Sequence, residues 1–400
     1  MNKKLIALVA AGVLGIPAIA FAQASNVQIY GRANVGLDTW QATGATAGAA
    51  ADFKSRTRIY DNSSRIGFRG TEDLGNGLKA MFQIESGANI DSGSLNGQSG
   101  TPNASSGTLA SRDSWVALGG AWGDVRFGRQ SIFWINGPAA QTGANFINTD
   151  VPFVTATSMG RVSTAIPGGA PVARQSNVLS YNSPTWSGFN GSLSYSPQSE
   201  AAAAGANADS SLWAVTLRYN GALDLQGDYL VNQQASGGAQ RQKSTGLKLS
   251  VSWPYAPGSR VSLLWGRDKM DDTPAVAAFS ALHDNVSATM WLVNWEHTLG
   301  GSWQVFAEWG KVQRASGCTA LNGTANGCDG TDAVGYMLAV KYHFSKRTGV
   351  YLSYNQTRNG SNQISDYAAG GYSSGGAAGM PATSAGADPR VVAVGILHNF

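Results

Sequence analysis

Arg390-Val-Val-Ala-Val-Gly-Ile-Leu-His-Asn-Phe400 closes the sequence, and its reading decides the fold. In a strand, Val392, Val394, Ile396 and Phe400 fall on one face; Ala393, Gly395 and Asn399 fall on the other, with Leu397 breaking the pattern. An aromatic with no polar tail behind it is out of place at the tip of a strand in water. It is in place in a barrel that closes on itself in lipid, where the last strand pairs with the first and the outer face meets acyl chains. The competing reading is a central strand of a soluble two-sheet sandwich, and the upstream sequence argues against it.

At the other end, Lys3 and Lys4 precede the apolar run Leu5 to Ile16 and then Ala20-Phe21-Ala22. A charged start, an apolar run too short to span a bilayer and a small-x-small site predict a cleaved secretory signal over residues 1–22, with Ala24 as an alternative cleavage point. Gly15 and Pro17 interrupt the run, which argues against a membrane anchor. The domain proper is then 23–400.

That remainder has no other apolar run long enough for a transmembrane helix. The chain has 51 Gly, 12 Trp and 13 Tyr with only 13% charged residues, which suits all-β structure with Gly/Ser-rich loops. Its 43% of hydrophobic residues excludes a disordered chain. Removing Lys3 and Lys4 from the formal charge of +4 leaves +2, too small an excess for a nucleic-acid partner. Cys318 and Cys328 lie in a Gly/Asn/Thr-rich loop, where export favours one disulfide; two free thiols are the other reading.

From Val27 onward the dominant period is two. Val27, Ile29, Ala33, Val35 and Leu37 share one face, and Gln28, Tyr30, Arg32, Asn34 and Asp38 the other. Such alternation also fits a one-sided sheet in water. Two features exclude that here. Aromatics such as Trp253, Trp295, Trp303, Tyr342 and Phe344 gather near strand ends, like the girdles of a membrane barrel. Connections also alternate between short turns, such as Leu74-Gly-Asn-Gly77 and Leu299-Gly-Gly-Ser302, and long links, such as 88–111, 268–287 and 358–389. About sixteen strands are predicted, near 26–38, 63–73, 77–87, 112–120, 124–130, 176–184, 188–196, 211–220, 223–232, 245–254, 260–267, 288–298, 302–313, 333–344, 348–358 and 390–400. The fold class is therefore all-β, a transmembrane antiparallel β-barrel wide enough to leave an aqueous lumen.

The link 131–175 is long and unusually apolar, with Phe133, Trp134, Ile135, Phe146, Ile147, Val151 and Phe153. Folding it into the lumen would bury that surface and narrow the pore; a lid over the mouth or a contact with a neighbouring subunit would bury it too.

The chain resembles the trimeric general diffusion porins of Gram-negative outer membranes, in the branch typical of β-proteobacteria. The resemblance rests on Val27-Gln-Ile-Tyr-Gly31, Ser64-Arg-Ile-Gly-Phe-Arg-Gly-Thr-Glu-Asp-Leu-Gly75, Gly77-Leu-Lys-Ala-Met-Phe-Gln-Ile-Glu85, Phe127-Gly-Arg-Gln130, Tyr181-Asn-Ser-Pro184 and Phe400. It implies sixteen strands, a third loop folded into the lumen and a homotrimer surrounded by outer-membrane lipid and lipopolysaccharide. It further implies that Phe400 is an assembly signal read by the outer-membrane barrel assembly machinery, and that ions and small hydrophilic solutes pass without a cofactor. One departure is Ser180, where the family often carries a basic residue.

With polar faces inward, Arg32, Arg65, Arg69 and Lys79 come from the first three strands, joined by Arg112 and by Arg126 or Arg129. A regular strand cannot turn both of the last pair inward. Against them stand Glu85 and Glu308, and the long loop adds Asp150, Arg161 and Arg174. Charged rings set pore selectivity, so a weak to moderate anion preference is expected. The plainer reading is that these arginines pair with Glu72, Asp73 and Glu85 and only hold register.

An enzyme would need a catalytic constellation. His283, His297, His343 and His398 are scattered, and Gly371-Tyr-Ser-Ser-Gly375 lacks the strand and helix of a nucleophile elbow. A barrel hydrolase and a structural or adhesive surface protein are the alternatives to a channel.

Overall fold

The computed structural model describes residues 27–62, 64–88, 90–91, 109–132, 161–163, 166–167, 174–197, 210–235, 241–271, 286–317, 328–363 and 384–400. Among them, sixteen antiparallel strands close into one barrel. They are β1 (Gln28–Thr43), β2 (two segments, Phe53–Asp61 and Arg65–Gly75), β3 (Leu78–Gly87), β4 (Ser114–Gly120), β5 (Gly123–Gln130), β6 (Gln175–Asn182), β7 (Phe189–Ser196) and β8 (Ser211–Asn220). Then follow β9 (Asp224–Ala235), β10 (Arg241–Ala256), β11 (Ser259–Asp271), β12 (Val286–Leu299), β13 (Trp303–Val312), β14 (Ala333–His343), β15 (Thr348–Asn359) and β16 (Asp388–Asn399). Between β5 and β6 a short ladder, Arg161–Ser163 with Ile166–Pro167, stands outside the barrel sheet.

The two parts of β2 lie along the same edge of β1 and in one direction, so they are one strand with a break at 62–64. The register slips there by one: Val35 faces Asp61, but Arg32 faces Arg65. β16 then pairs with β1 from Arg32↔Asn399 to Thr43↔Asp388 and shuts the ring. All sixteen expected strands are present, but the first two are longer than their alternation predicts. β1 continues to Thr43 and β2 begins at Phe53. In these upper parts the polarity inverts, with Trp40 and Ala42 buried inside and Thr39 and Thr43 exposed outside. Above the bilayer the outer face meets water, so the apolar-out signal disappears.

Adjacent strands are joined by tight turns at one end. Asn76 and Gly77, both at positive φ (52° and 78°), form the two-residue link from β2 to β3 that suits the twist of a hairpin. The strand ends that flank the long links lie at the other end, which in outer-membrane barrels is the extracellular one.

The outer wall is apolar: Leu217 is 66% exposed, Leu338 59% and Leu352 52%, values a soluble domain would not tolerate in so regular an array. At the periplasmic end Trp253 packs on Tyr255, Trp303 on Tyr342 and Tyr342 on Phe344, with ring centroids 4.8–5.7 Å apart. No helix among the described residues is long and apolar enough to cross a membrane; the crossing is made by strands.

Three tyrosines lie across the inner wall, each over a glycine of the adjacent strand. A Cβ on Gly67 would stand 2.4 Å from Tyr30 Cζ, one on Gly36 2.7 Å from Tyr60 Cε1, and one on Gly395 2.3 Å from Tyr351 Oη. Each ring thereby reaches beyond its neighbour. Tyr30 Oη donates to Glu85 Oε2 on β3, and Tyr351 Oη on β15 donates to Asn34 Oδ1 on β1. Because Tyr351 has given its one proton to Asn34, Tyr60 is the donor in the 2.8 Å contact between the two tyrosine hydroxyls. On the outer wall the same device recurs, with Phe82 over Gly70 and at the chain's last residue. Phe400 exchanges backbone hydrogen bonds of 3.0 and 3.1 Å with Gly31 and lays its ring over it.

Candidate functional site: the inner wall of the barrel

Alternation places Tyr30, Arg32, Asn34 and Asp38 of β1 inside, and the register carries that choice round the sheet. Arg65 and Arg69 follow on β2, opposite Arg32 and Gln28, and Gln83 and Glu85 follow on β3, opposite Arg69 and Gly67. Lys79 lies opposite Asp73 nearer the periplasmic end. All five expected basic and acidic residues of the first three strands therefore share the inner wall.

Glu85 is the hub of this side. Arg112 Nε approaches Glu85 Oε1 at 2.5 Å, and Arg65 Nε lies 3.9 Å from Oε2. Two guanidinium groups thus share one carboxylate. Arg32 instead donates to Asn399 Oδ1 at 3.3 Å, and Arg69 donates to Gln28 Oε1 at 2.9 Å while its guanidinium stands 4.9 Å above the Tyr30 ring. Arg65 and Arg112 are tied to the wall through Glu85, while Arg69 is held by an amide and a ring.

Arg126 faces inward, ion-paired to Asp124 at 2.6 Å and 4.4 Å above the Trp115 ring. The ladder between β5 and β6 slips between Gly128 and Gln130, so strict alternation fails at Arg129. Arg129 is half-buried and donates to Ser111 O and Ser176 Oγ. Ser180, where the family often carries a basic residue, is buried and donates to Gln130 Oε1. Glu308 points inward from β13 but is only 4% exposed. Of the remaining expected residues, Asp150 lies outside the described residues, and Arg161 is described only as backbone in the short ladder. Cys328 is disulfide-bonded; Cys318 lies outside the described residues.

The opposite inner wall carries charges that the sequence reading did not use. Lys248 Nζ lies 3.7 Å from Asp228 Oδ2, which is also held by Gln226 and faces Thr216. Arg218 donates to Gln226 Oε1 at 2.9 Å, and Arg260 pairs with Glu296 at 2.8 Å. On the near side, across the β1–β2 ladder, Arg58 pairs with Asp38 at 3.1 Å below the upper rim. The signal for these residues was present in the alternation of their strands; what it lacked was the register that says which inward charges meet. Between them stands an apolar stretch of wall: Leu212, Leu230, Leu264, Met290 and Leu292 all face inward yet are at most 2% exposed.

A closed sixteen-stranded barrel with an apolar, aromatic-girdled outside and a charged inside is a transmembrane channel of the outer-membrane type. The sequence matches the family described as Gram-negative porin over residues 5–362, and the chain belongs to that family. It is 29% identical over 355 residues to the major outer membrane protein P.IB of Neisseria lactamica, covering 88% of this chain and 92% of that protein. The P.IB protein of Neisseria gonorrhoeae is 33% identical over 201 residues, about half of either chain. Among solved structures, the anion-selective porin from Comamonas acidovorans superposes with a TM-score of 0.68 at 22% identity, over 94% of this chain and all of that one. The outer-membrane channel DcaP of Acinetobacter baumannii gives 0.60 at 12% identity, over 96% of this chain and all of that one. At such identities the two structures speak for the fold. This protein is an outer-membrane porin, a channel and not an enzyme.

Proposed function

We propose that the channel passes small hydrophilic solutes and ions passively, with a weak to moderate anion preference set by Arg32, Arg65, Arg69 and Lys79. The observation that carries this is the sharing of Glu85 by Arg65 and Arg112, which leaves the first three strands with more cation than carboxylate on the inner wall. The related fold of an anion-selective porin from Comamonas acidovorans supports the same sign. Arg112 and Arg129, both tied to wall groups, and Glu308, buried, take a smaller part.

The segment 131–175 serves as the constriction, with Asp150 and Arg161 on it. Its support is the apolar inner wall at Leu212, Leu230, Leu264 and Met290, which offers a seat to an apolar segment inside the barrel. Residues 1–22 act as a cleaved export signal, Phe400 is read by the barrel assembly machinery, and Cys318 pairs with Cys328. Three copies associate through apolar outer wall such as Val35, Leu37, Ile59 and Phe68, among lipid and lipopolysaccharide.

The test is single-channel conductance of the purified protein in a planar bilayer, with the zero-current potential read across a salt gradient. Ohmic steps in groups of three and an anion-leaning potential are the expected result. A cation-leaning potential overturns the selectivity; folded protein without conductance overturns the open channel.

A further inference from the structure

Across the inner wall, cation after cation stands beside a carboxylate. Arg58 has Asp38, Arg112 has Glu85, Arg126 has Asp124, Lys248 has Asp228 and Arg260 has Glu296. Lys341 on β14 is different. Among the described residues no carboxylate lies within ion-pair distance of it, and the charge that acts on it is the like charge of Arg32.

Lys341 faces inward near the periplasmic end of β14, opposite Gln304 on β13 and Tyr351 on β15. Its stem does not stand up into the lumen. A Cβ on Gly349 would meet Lys341 Cε at 3.0 Å and Cγ at 3.6 Å, so the methylenes lie across that glycine of β15. From there they point past Leu397, the partner of Gly349 on β16, toward Asn399, the next inward residue of that strand. Asn399 Oδ1 accepts the Arg32 Nε–H at 3.3 Å from the other side. Ammonium and guanidinium thus approach one stretch of wall from opposite directions.

The floor of that stretch accounts for Leu397, which breaks the polar alternation of the inner face. It is only 4% exposed, with Gly349 facing it on one strand and Asn34 on the other. An apolar floor keeps water from beneath the two cations and strengthens the field above it. His343 Nε2 donates to Gln304 Oε1 at 3.1 Å and brings no negative charge. The terminal carboxyl group, on Phe400, is held by the Gly31 N–H at 3.0 Å.

We infer that Lys341 and Arg32, with the Asn399 amide between them, form an oxyanion subsite on the inner wall near the periplasmic mouth. The inference rests on the outer-membrane porin reading and names one place within the channel where an anion pauses. Lys341 offers a point charge, Arg32 a second charge, and Asn399 Nδ2, the end of the amide turned from Arg32, a neutral donor. All three donate, which suits the several oxygens of a small oxyanion, inorganic phosphate being the simplest. Lys341, Arg32 and Asn399 are each only half-buried, so the ion can leave as well as enter.

The test is the single-channel chloride current of the purified protein in a planar bilayer at neutral pH, titrated with inorganic phosphate at constant ionic strength. Wild-type current is expected to fall saturably as phosphate occupies the subsite. Lys341→Gln should raise the half-blocking concentration at least about fivefold, whereas Lys341→Arg, which keeps the charge, should retain the block. Lys346→Gln, on the exposed turn after β14, removes the same charge from the same mouth and should leave the block in place. Equal block in wild type and Lys341→Gln, or an equal loss in Lys346→Gln, overturns the subsite. A wild-type chloride current that phosphate does not reduce overturns the subsite and leaves the channel standing. Folded wild-type protein that carries no current overturns the channel reading itself.

Discussion

Tyr351 on β15 donates a 2.8 Å hydrogen bond to Asn34 on β1, passing over Gly395 of the intervening strand β16. The barrel's seam is the β16–β1 ladder, so this contact fastens the strand before the seam to the strand after it. Tyr60 extends the fastening to β2. Removing the hydroxyl by Tyr351→Phe is expected to cost about 1 kcal/mol, since Asn34 Oδ1 and Tyr60 Oη each lose a buried partner. Gly395→Val should cost more, roughly 1–3 kcal/mol, because its Cβ would meet Tyr351 Oη. Denaturant titration of the folded barrel in detergent, followed by the heat-dependent gel shift, ranks the two. Wild-type stability in Gly395→Val would show that the ring is not needed at the seam.

Gly31 and Phe400 form the periplasmic end of the same seam. A Cβ on Gly31 would stand 2.5 Å from the Arg65 carbonyl oxygen, a backbone atom that cannot swing aside, and 2.4 Å from the Phe400 ring. Gly31→Ala is therefore expected to lower the yield of folded barrel even when refolded without any assembly machinery. Phe400→Ala removes the ring but keeps the ladder, so it should refold in vitro and be depleted from the outer membrane in cells. Comparing refolding yield with outer-membrane abundance separates a packing role from a recognition role.

Selectivity should respond to inner-wall charges according to how each is tied. Arg69→Gln leaves Gln28 and Tyr30 solvated and intact, so it should move the zero-current potential toward cations with little loss of stability. Arg112→Gln would leave Glu85 short of its closest partner, with about 3–5 kcal/mol lost if the charge stays buried. Glu85→Gln releases both Arg65 and Arg112 and should move the potential toward anions. A shift of the same sign for Arg69→Gln and Glu85→Gln would refute the electrostatic account.

Deleting residues 133–173, with a short Gly/Ser bridge from Ile132 to Arg174, should raise single-channel conductance if that segment narrows the lumen. Unchanged conductance from a folded deletion variant would place the narrowest point on the barrel wall itself.

The outer wall was legible from the sequence because lipid imposes one rule on every second residue. Val392, Val394 and Ile396 obey it, and so do Leu338 and Leu352. Strand number and closure followed from that rule and from the alternation of short and long links. The upper parts of β1 and β2 were not legible, since above the bilayer both faces meet water or packed loops and Trp40 turns inside. The inner wall was legible as a set of charges but not as a set of pairs. Arg112 comes from outside any regular strand to reach Glu85, and the slip at Arg129 breaks the counting that would have predicted its direction.

The tyrosine–glycine crossings bear on how such a wall can change over time. Tyr351 with Gly395, Tyr60 with Gly36 and Tyr30 with Gly67 are each one steric unit divided between two strands far apart in the sequence or near in it. Neither member can be exchanged first without either a collision or a gap. Across descendants of this chain the two positions of each crossing should therefore be replaced together, a larger residue at the glycine accompanying a smaller one at the tyrosine. Co-substitution at 351 and 395 would trace the closing seam in sequences whose structures have never been determined.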